Sequence, residues 1–233
     1  MASESQRTAV VTGGTGFLGT AVCRRLVADG YRVYVTAESE AAAERFRAQP
    51  THREIVTRVV ELTEAVAVAG LFAEVDGPVD ALACLAGGWV GGPFAQATDD
   101  DLALMTRMNL TSAVVTLRAA YPYLRRAAAG AGVVLVSSRS GLTGGAGSAV
   151  YAATKAGVAN LVHSLAAEWL DEGISVNAIA PGILDTPANR QAMPDAHHNR
   201  WPSTEAVAGV VAFLLGPQAR VVSGAVVPVY GRS

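Results

Sequence analysis

Short β-branched apolar runs alternate along the chain with alanine-rich segments whose apolar residues recur at helical spacing. The runs predict seven strands, at residues 8–12, 32–36, 55–60, 80–85, 133–137, 174–179 and 225–229. The segments between them predict helices at residues 17–29, 40–47, 64–74, 100–126, 150–170 and 204–215. Strands that alternate with helices form parallel sheets covered on both faces, and right-handed crossovers favour a doubly wound order. The pattern therefore predicts an α/β fold with a Rossmann-type, doubly wound parallel sheet of about seven strands.

The length and the connections predict one domain. The chain has 233 residues and no linker-like stretch, so we expect residues 1–233 to form a single dinucleotide-binding unit. The one irregular stretch, 181–202, follows the sixth strand, where doubly wound sheets keep their ligand crevice. We therefore predict a substrate lid over residues 183–203.

Charge and composition narrow the functional class. Only 16% of residues are charged and 51% are apolar, which predicts surface covered by self-association in a homo-oligomer. The net charge of −2 without a basic block excludes a nucleic-acid or anionic-membrane partner. Because the first residues lack the apolar core of a signal peptide, we expect a cytoplasmic protein. We expect Cys23 and Cys84 to be reduced and buried, and the four histidines lack metal-ligand spacing, so no metal site is predicted.

A glycine-rich turn follows the first strand. The run Thr12-Gly13-Gly14-Thr15-Gly16-Phe17-Leu18-Gly19 contains Gly-x-Gly-x-x-Gly at Gly14, Gly16 and Gly19. Glycines there let the backbone approach a pyrophosphate, whose charge rests on the following helix N-terminus. A glycine-rich turn without a ligand is the alternative, but the position in the first strand–helix turn favours a dinucleotide site.

The end of the second strand bears on the choice of cofactor. Glu38 lies nineteen residues after Gly19, where an acidic residue can accept hydrogen bonds from the adenosine ribose. No arginine occurs between Arg32 and Arg45 to meet a 2′-phosphate. These residues favour NAD(H) over NADP(H), although Glu38 could equally be a solvated acid at a helix start.

Ser138, Tyr151 and Lys155 form the chemically most informative set. Tyr151 and Lys155 are four residues apart on a predicted helix and therefore share a face. A free tyrosine titrates near pH 10, and lowering its pKa by about 3 units requires roughly 4 kcal/mol, which an adjacent ammonium and an oxidised nicotinamide could supply. Lys155 is the only lysine among eighteen basic residues, which argues against a surface role. The Tyr-x-x-x-Lys spacing alone also arises by chance.

The chain resembles the short-chain dehydrogenase/reductase family from Thr8 to about Arg232. The resemblance rests on the glycine turn, on Ser138 placed thirteen residues before Tyr151, on Lys155 and on Met108-Asn109-Leu110. The run Val176-Asn177-Ala178-Ile179-Ala180-Pro181-Gly182, which leads to Asp185-Thr186, also matches. It implies an NAD(P)-dependent oxidoreductase, most commonly a tetramer and otherwise a dimer.

The resemblance also implies roles for individual residues. Tyr151 would be the general acid/base, Ser138 would bind the substrate oxygen, Lys155 would bind the nicotinamide ribose and tune Tyr151, and Asn109 would hold a relay water. The implied cofactor-binding residues are Gly13, Thr15, Gly16, Phe17, Leu18, Gly19, Glu38, Glu61, Leu62, Ala86, Gly87, Tyr151, Lys155, Pro181, Gly182, Ile183 and Thr186.

Two segments bear on the substrate. Residues 85–92 and 184–195 resemble quinonoid dihydropteridine reductases, which would imply a planar quinonoid substrate, unless these runs are shared scaffold. Trp89 and Trp201 would offer flat apolar surfaces, and Leu142 and Ser138 complete the predicted substrate contacts. The retained Ser138 favours shared scaffold.

Two other functions remain open on the sequence. The glycine spacing is similar to that of nucleotide-sugar epimerases and dehydratases, although the chain is short for their extra C-terminal domain. A regulator that senses dinucleotides without turnover would not need Ser138, Tyr151 and Lys155 together. The sequence therefore favours an enzyme that moves hydride between a nicotinamide and a carbonyl or alcohol.

Overall fold

Seven parallel strands form one sheet in this computed structural model, which describes residues 6–232. The strands are β1 (Thr8–Thr12), β2 (Arg32–Ala37), β3 (Val56–Val59), β4 (Ala81–Cys84), β5 (Ala131–Val136), β6 (Ile174–Pro181) and β7 (Val226–Val229). Their order across the sheet is β3-β2-β1-β4-β5-β6-β7, which confirms the predicted doubly wound fold. Residues 1–5 and 233, which belong to the predicted domain, lie outside the described residues.

Helices cover the two faces of this sheet. They are α1 (Phe17–Ala28), α2 (Glu40–Arg47), α3 (Ala65–Ala73), α4 (Asp99–Met105), α5 (Ser112–Leu124), α6 (Arg139–Thr143), α7 (Ala149–Glu168), α8 (Pro187–Ala192) and α9 (Thr204–Leu215). Successive strand residues point to opposite faces, so Val10 joins the core under α3, α5 and α7, while Val11 joins the core under α1 and α9. This double burial explains why the strands read as continuous apolar runs.

The predicted helix over residues 100–126 is divided. It consists of α4, a π-helical turn at Thr106–Thr111 and α5. A capping box between Thr98 and Asp101 fixes the start of α4, and the carboxylates in its first turn complement the helix dipole. Asn109 is the buried residue of this π turn. Single π turns within α-helices are frequent at functional sites.

The strand order places a ligand crevice. The chain runs outward from β1 to β2 and β3, and then returns to the other side of β1 as β4. The loops after β1 and β4 therefore diverge at the carboxyl edge of the sheet, where open α/β sheets bind ligands. No helix within residues 6–232 is both long and apolar enough to cross a membrane.

Candidate active site

The glycine turn is packed tightly between β4 and α1. Gly13 has φ +65°, and a Cβ there would lie 2.7 Å from the backbone nitrogen of Ala86. A Cβ on Gly14 would meet Val35 at 2.6 Å, and one on Gly19 would collide with the Gly13 carbonyl. These three glycines are therefore required by close packing within the protein itself.

Gly16 differs from its neighbours because one side of it is open. A Cβ on Gly16 would meet only the Gly13 carbonyl oxygen, at 3.4 Å. Gly16 is also the N-cap of α1, which has no side-chain cap and no acidic residue in its first turn. The uncapped amides and the positive end of the helix dipole are available to an anionic group. This arrangement fits the predicted pyrophosphate site.

A cleft of about 520 Å³ runs from this turn across the crevice. Seven of the predicted cofactor-binding residues line it, namely Gly13, Gly16, Glu38, Glu61, Leu62, Ala86 and Gly87. The other lining residues are Thr36, Ala37, Val59, Val60, Thr63, Leu85, Arg107, Met108 and Ser112. The cleft joins the glycine turn to the ends of β2 and β3 and to the loop after β4, which suits a dinucleotide.

Acidic side chains mark two positions along the cleft. The Thr15 hydroxyl donates to Oε2 of Glu38 at 3.0 Å, so the carboxylate at the end of β2 is held over the glycine turn. Glu61 accepts from the backbone nitrogen of Thr63 at 3.1 Å and from its hydroxyl at 2.6 Å. These hydrogen bonds hold the pKa of Glu61 below its usual value. The Glu61 carboxylate is therefore charged at neutral pH beside the cleft.

Lys155 is buried behind Gly87, which lines the cleft. Its side chain is on α7 and is only 4% exposed, and Nζ donates to the Val136 carbonyl oxygen at 2.9 Å. The Lys155 carbonyl in turn accepts from Oγ of Ser137 at 2.9 Å, which fixes α7 against the end of β5. Burial lowers the pKa of Lys155 to about 8. Ser137 is a positioning residue that sequence reasoning missed, although its place beside Ser138 was a signal.

Ser138 and Tyr151 meet next to Lys155. Oγ of Ser138 caps α6 by accepting from the Gly141 nitrogen at 2.8 Å, and it is hydrogen-bonded to the Tyr151 side chain. Nζ of Lys155 lies 5.8 Å from the centre of the Tyr151 ring. The structure therefore brings the three predicted residues together at the carboxyl end of β5.

The pKa of Tyr151 departs from the expectation in the protein alone. We expected the ammonium and an oxidised nicotinamide to lower it, but burial raises the pKa above its usual value, and the hydrogen bond from Ser138 opposes that rise only in part. The physical reason is that one of the two expected positive charges, the oxidised nicotinamide, belongs to the cofactor, whereas the burial that raises the pKa of the phenol belongs to the protein itself.

Asn109 joins the π turn to the loop after β4. Its Oδ1 accepts from the Gly88 nitrogen at 3.1 Å and its Nδ2 donates to the Gly88 carbonyl at 3.1 Å. A Cβ on Gly87 would lie 2.6 Å from Oδ1 of Asn109 and 3.1 Å from Nζ of Lys155. Because Gly87 has no side chain, the side chains of Asn109 and Lys155 can both lie against it. The role of Asn109 in holding a relay water stays a prediction.

The predicted substrate residues differ in exposure. Trp89 is 64% exposed, and its indole lies against Gly91 so closely that a Cβ there would collide with it. Leu142, on α6, is also exposed. Trp201 is only 9% exposed and packs on His198, with ring centres 4.6 Å apart. Of the two tryptophans, Trp89 is the one with an open apolar face.

The segment predicted as a lid is ordered by its own contacts. Thr186 caps α8 by accepting from the Asn189 nitrogen at 3.2 Å, and Asp185 forms a bidentate ion pair with Arg190 at 2.6 and 2.8 Å. Pro181 ends β6, two strands away from β4, and Gly182, Ile183 and Thr186 follow it. None of these four predicted contacts lines the cleft described above. Phe17 and Leu18, in the first turn of α1, are likewise outside that lining.

Comparison with known proteins identifies similar chains over nearly the whole length. A profile of the short chain dehydrogenase family matches residues 7–197. The cis-4-hydroxycyclohexanecarboxylate dehydrogenase of Sinomonas cyclohexanicum is 35% identical, over 97% of this chain and 96% of that protein. The 3-oxoacyl-acyl-carrier-protein reductase MabA of Mycobacterium bovis is 31% identical, over 97% and 92%. The crystal structure of levodione reductase matches with a TM-score of 0.86 at 26% identity, over 97% of this chain and 96% of that chain.

Proposed function

This chain belongs to the short-chain dehydrogenase family and is an NAD(P)-dependent oxidoreductase, and we propose that Tyr151 is its general acid/base for a carbonyl/alcohol pair. The meeting of Ser138, Tyr151 and Lys155 beside a cleft at the crossover point of the sheet carries this proposal. The predicted resemblance to the family is confirmed. The further resemblance of two segments to dihydropteridine reductases stays a prediction.

The chain can hold the cofactor in one orientation. Uncapped amides at the start of α1 would take the pyrophosphate, and Glu38 would accept from the adenosine ribose. The space beside Gly87, bordered by Asn109 and Lys155, would take the nicotinamide ribose. When bound, the reduced nicotinamide would supply a hydride to the carbonyl carbon, and the oxidised nicotinamide would accept one from the alcohol.

The proton chemistry belongs to Tyr151. In the reducing direction the phenol donates its proton to the substrate oxygen, and in the oxidising direction the phenolate accepts one. Ser138 would donate a hydrogen bond to the same substrate oxygen and stabilise negative charge as it develops. The Lys155 ammonium, held at Val136, would favour the phenolate electrostatically. The burial of Lys155 and the partial burial of Tyr151 would limit the access of water to the phenol.

Glu38 supports a preference for NAD(H) over NADP(H). Its carboxylate would accept from the ribose hydroxyls, and it would repel a 2′-phosphate in the same place. Thr15 holds the carboxylate at that position. A higher kcat/KM with NADH than with NADPH is the expected result.

The substrate side favours an apolar, ring-shaped molecule. The open face of Trp89 and the exposed Leu142 offer flat and apolar contact. The relative named as a cis-4-hydroxycyclohexanecarboxylate dehydrogenase supports an alcohol on a six-membered ring. Ile183 and residues 183–203, which follow β6, would close over such a ring as a lid.

We also propose a homo-oligomer, a tetramer or a dimer, in the cytoplasm. Apolar side chains are exposed on α4 at Leu102 and Leu104, on α9 at Phe213, and at Val221. Covering them in an interface would remove apolar surface from water. Light scattering should give a multiple of the monomer mass, and a monomer at micromolar concentration would contradict the proposal. Both cysteines are free and buried, which suits a reducing compartment.

The activity is tested by following oxidation of NADH and NADPH at 340 nm against cyclic ketones, quinones and pterins. We expect turnover with at least one cyclic ketone and faster turnover with NADH. Binding of both cofactors without turnover of any carbonyl would favour a dinucleotide sensor instead. Turnover of pterins alone would support the dihydropteridine-reductase-like substrate.

A further inference from the structure

Arg107 is a cation that has no part in the proposed proton transfer. It belongs to the π turn between α4 and α5, and its exposed side chain lines the cofactor cleft. Among the residues that line this cleft, Arg107 is the one that carries a positive charge. Its guanidinium forms no hydrogen bond or ion pair with another residue among 6–232, although its backbone carbonyl accepts from the Ser112 N–H within the turn. An unpaired guanidinium on the wall of a ligand cleft is available to the ligand.

The base of this side chain is held rigidly. Two residues later on the same turn, Asn109 is bonded at both ends of its amide to Gly88. The turn is further fixed by Ser112, whose hydroxyl donates to the Met108 carbonyl at 2.7 Å. Arg107 therefore lines the cleft from a backbone that these bonds anchor.

The opposite wall is apolar and has an acidic rim. Val59, Val60 and Leu62 line it, and Glu61 lies between them. The charge of Arg107 contributes to the lowered pKa of Glu61, but the two side chains do not approach within ion-pair distance. Arg107 and the end of β3 therefore line the same cleft without an ion pair between Arg107 and Glu61.

The pyrophosphate and the adenosine ribose of a dinucleotide would bind elsewhere along the cleft. The uncapped start of α1 suits the pyrophosphate, and Glu38 suits the adenosine ribose. The compartment between Arg107 and the end of β3 is then left for the base. A guanidinium is planar and delocalised, and it stacks on aromatic rings.

We propose that Arg107 stacks on the adenine of the cofactor and closes this compartment against Val60 and Leu62. The inference rests on the proposed dinucleotide site. Loss of this stacking should weaken cofactor binding about 10-fold. Because the base is common to both cofactors, NADH and NADPH should lose the same factor.

The experiment compares dissociation constants for Arg107→Met with those for wild type and for Arg118→Met. Methionine keeps an unbranched side chain and removes the charged plane, while Arg118 is an exposed arginine on α5 outside the cleft. The ligands are NADH, NADPH, ADP-ribose and reduced nicotinamide mononucleotide, measured by calorimetry. We expect Arg107→Met to weaken the three adenine-containing ligands about 10-fold and to leave the mononucleotide unchanged. Arg118→Met should change none of them.

Three results would overturn the inference. Unchanged affinities for the adenine ligands would show that Arg107 does not contact the base. A larger loss for NADPH than for NADH would assign Arg107 to the 2′-phosphate. An equal loss for the mononucleotide would indicate a change in the rest of the site. Failure of the dinucleotide site itself is distinguishable, because wild type would then bind neither NADH nor NADPH.

Discussion

The buried ammonium of Lys155 makes folding stability depend on pH. Burial lowers its pKa from 10.5 to about 8. Between these values the unfolded chain keeps a proton that the folded chain has released, so the free energy of unfolding rises with pH across this window. Below the folded pKa, the charged amine is present in both states and its burial reduces stability. One pKa unit corresponds to about 1.36 kcal/mol, so titration of Lys155 from pH 7 to 9.5 adds about 2 kcal/mol.

Urea denaturation of wild type and Lys155→Met at several pH values isolates this effect. All other titrating groups are shared, so the difference in unfolding free energy, wild type minus variant, should increase by about 2 kcal/mol between pH 7 and 9.5. Arg118→Met, which removes an exposed cation on α5, should follow wild type at every pH. A difference between wild type and Lys155→Met that stays constant with pH would refute the reasoning.

Two further variants test the ends of the site. Glu38→Arg should shift the ratio of kcat/KM values toward NADPH, because it replaces a carboxylate over the glycine turn with a cation; an unchanged ratio would move the ribose away from Glu38. Gly231→Ala should raise KM for the substrate and leave the NADH dissociation constant unchanged. Gly231 has φ +66°, and a Cβ there would lie 2.7 Å from the Arg200 carbonyl oxygen. The backbone N–H of Arg232 donates to that same oxygen at 2.8 Å, so the alanine should strain this contact and loosen the lid. Equal KM values for variant and wild type would show that the contact does not hold the lid.

The order of elements could be predicted because the five inner strands are buried on both faces and the long helices on one. Apolar runs therefore predict the strands and helical spacing predicts the helices, and the seven-stranded sheet confirms the predicted fold. The helix at 100–126 was predicted as continuous because its π turn is set by a tertiary contact, the bonds between Asn109 and Gly88. The short helix α6 was missed because it depends on a single cap, Ser138, within a glycine-rich stretch.

The candidate site was predicted in part, for a related reason. Ser138, Tyr151 and Lys155 were found because spacing on one helix and its preceding strand brings them together. Arg107 was missed because its position on the cofactor cleft depends on the π turn rather than on any motif. The burial of Trp201 could not be predicted, since it depends on the packing of His198 within the lid.

The central claim is that Tyr151 exchanges the proton with the substrate oxygen, and Tyr151→Phe tests it most directly. The variant keeps the ring and removes the hydroxyl that meets Ser138. General acid/base catalysis is typically worth about 10²–10⁴-fold, so kcat should fall by at least about 100-fold while the dissociation constant for NADH stays nearly unchanged. A variant that retains more than about a tenth of the wild-type kcat would show that another group transfers the proton.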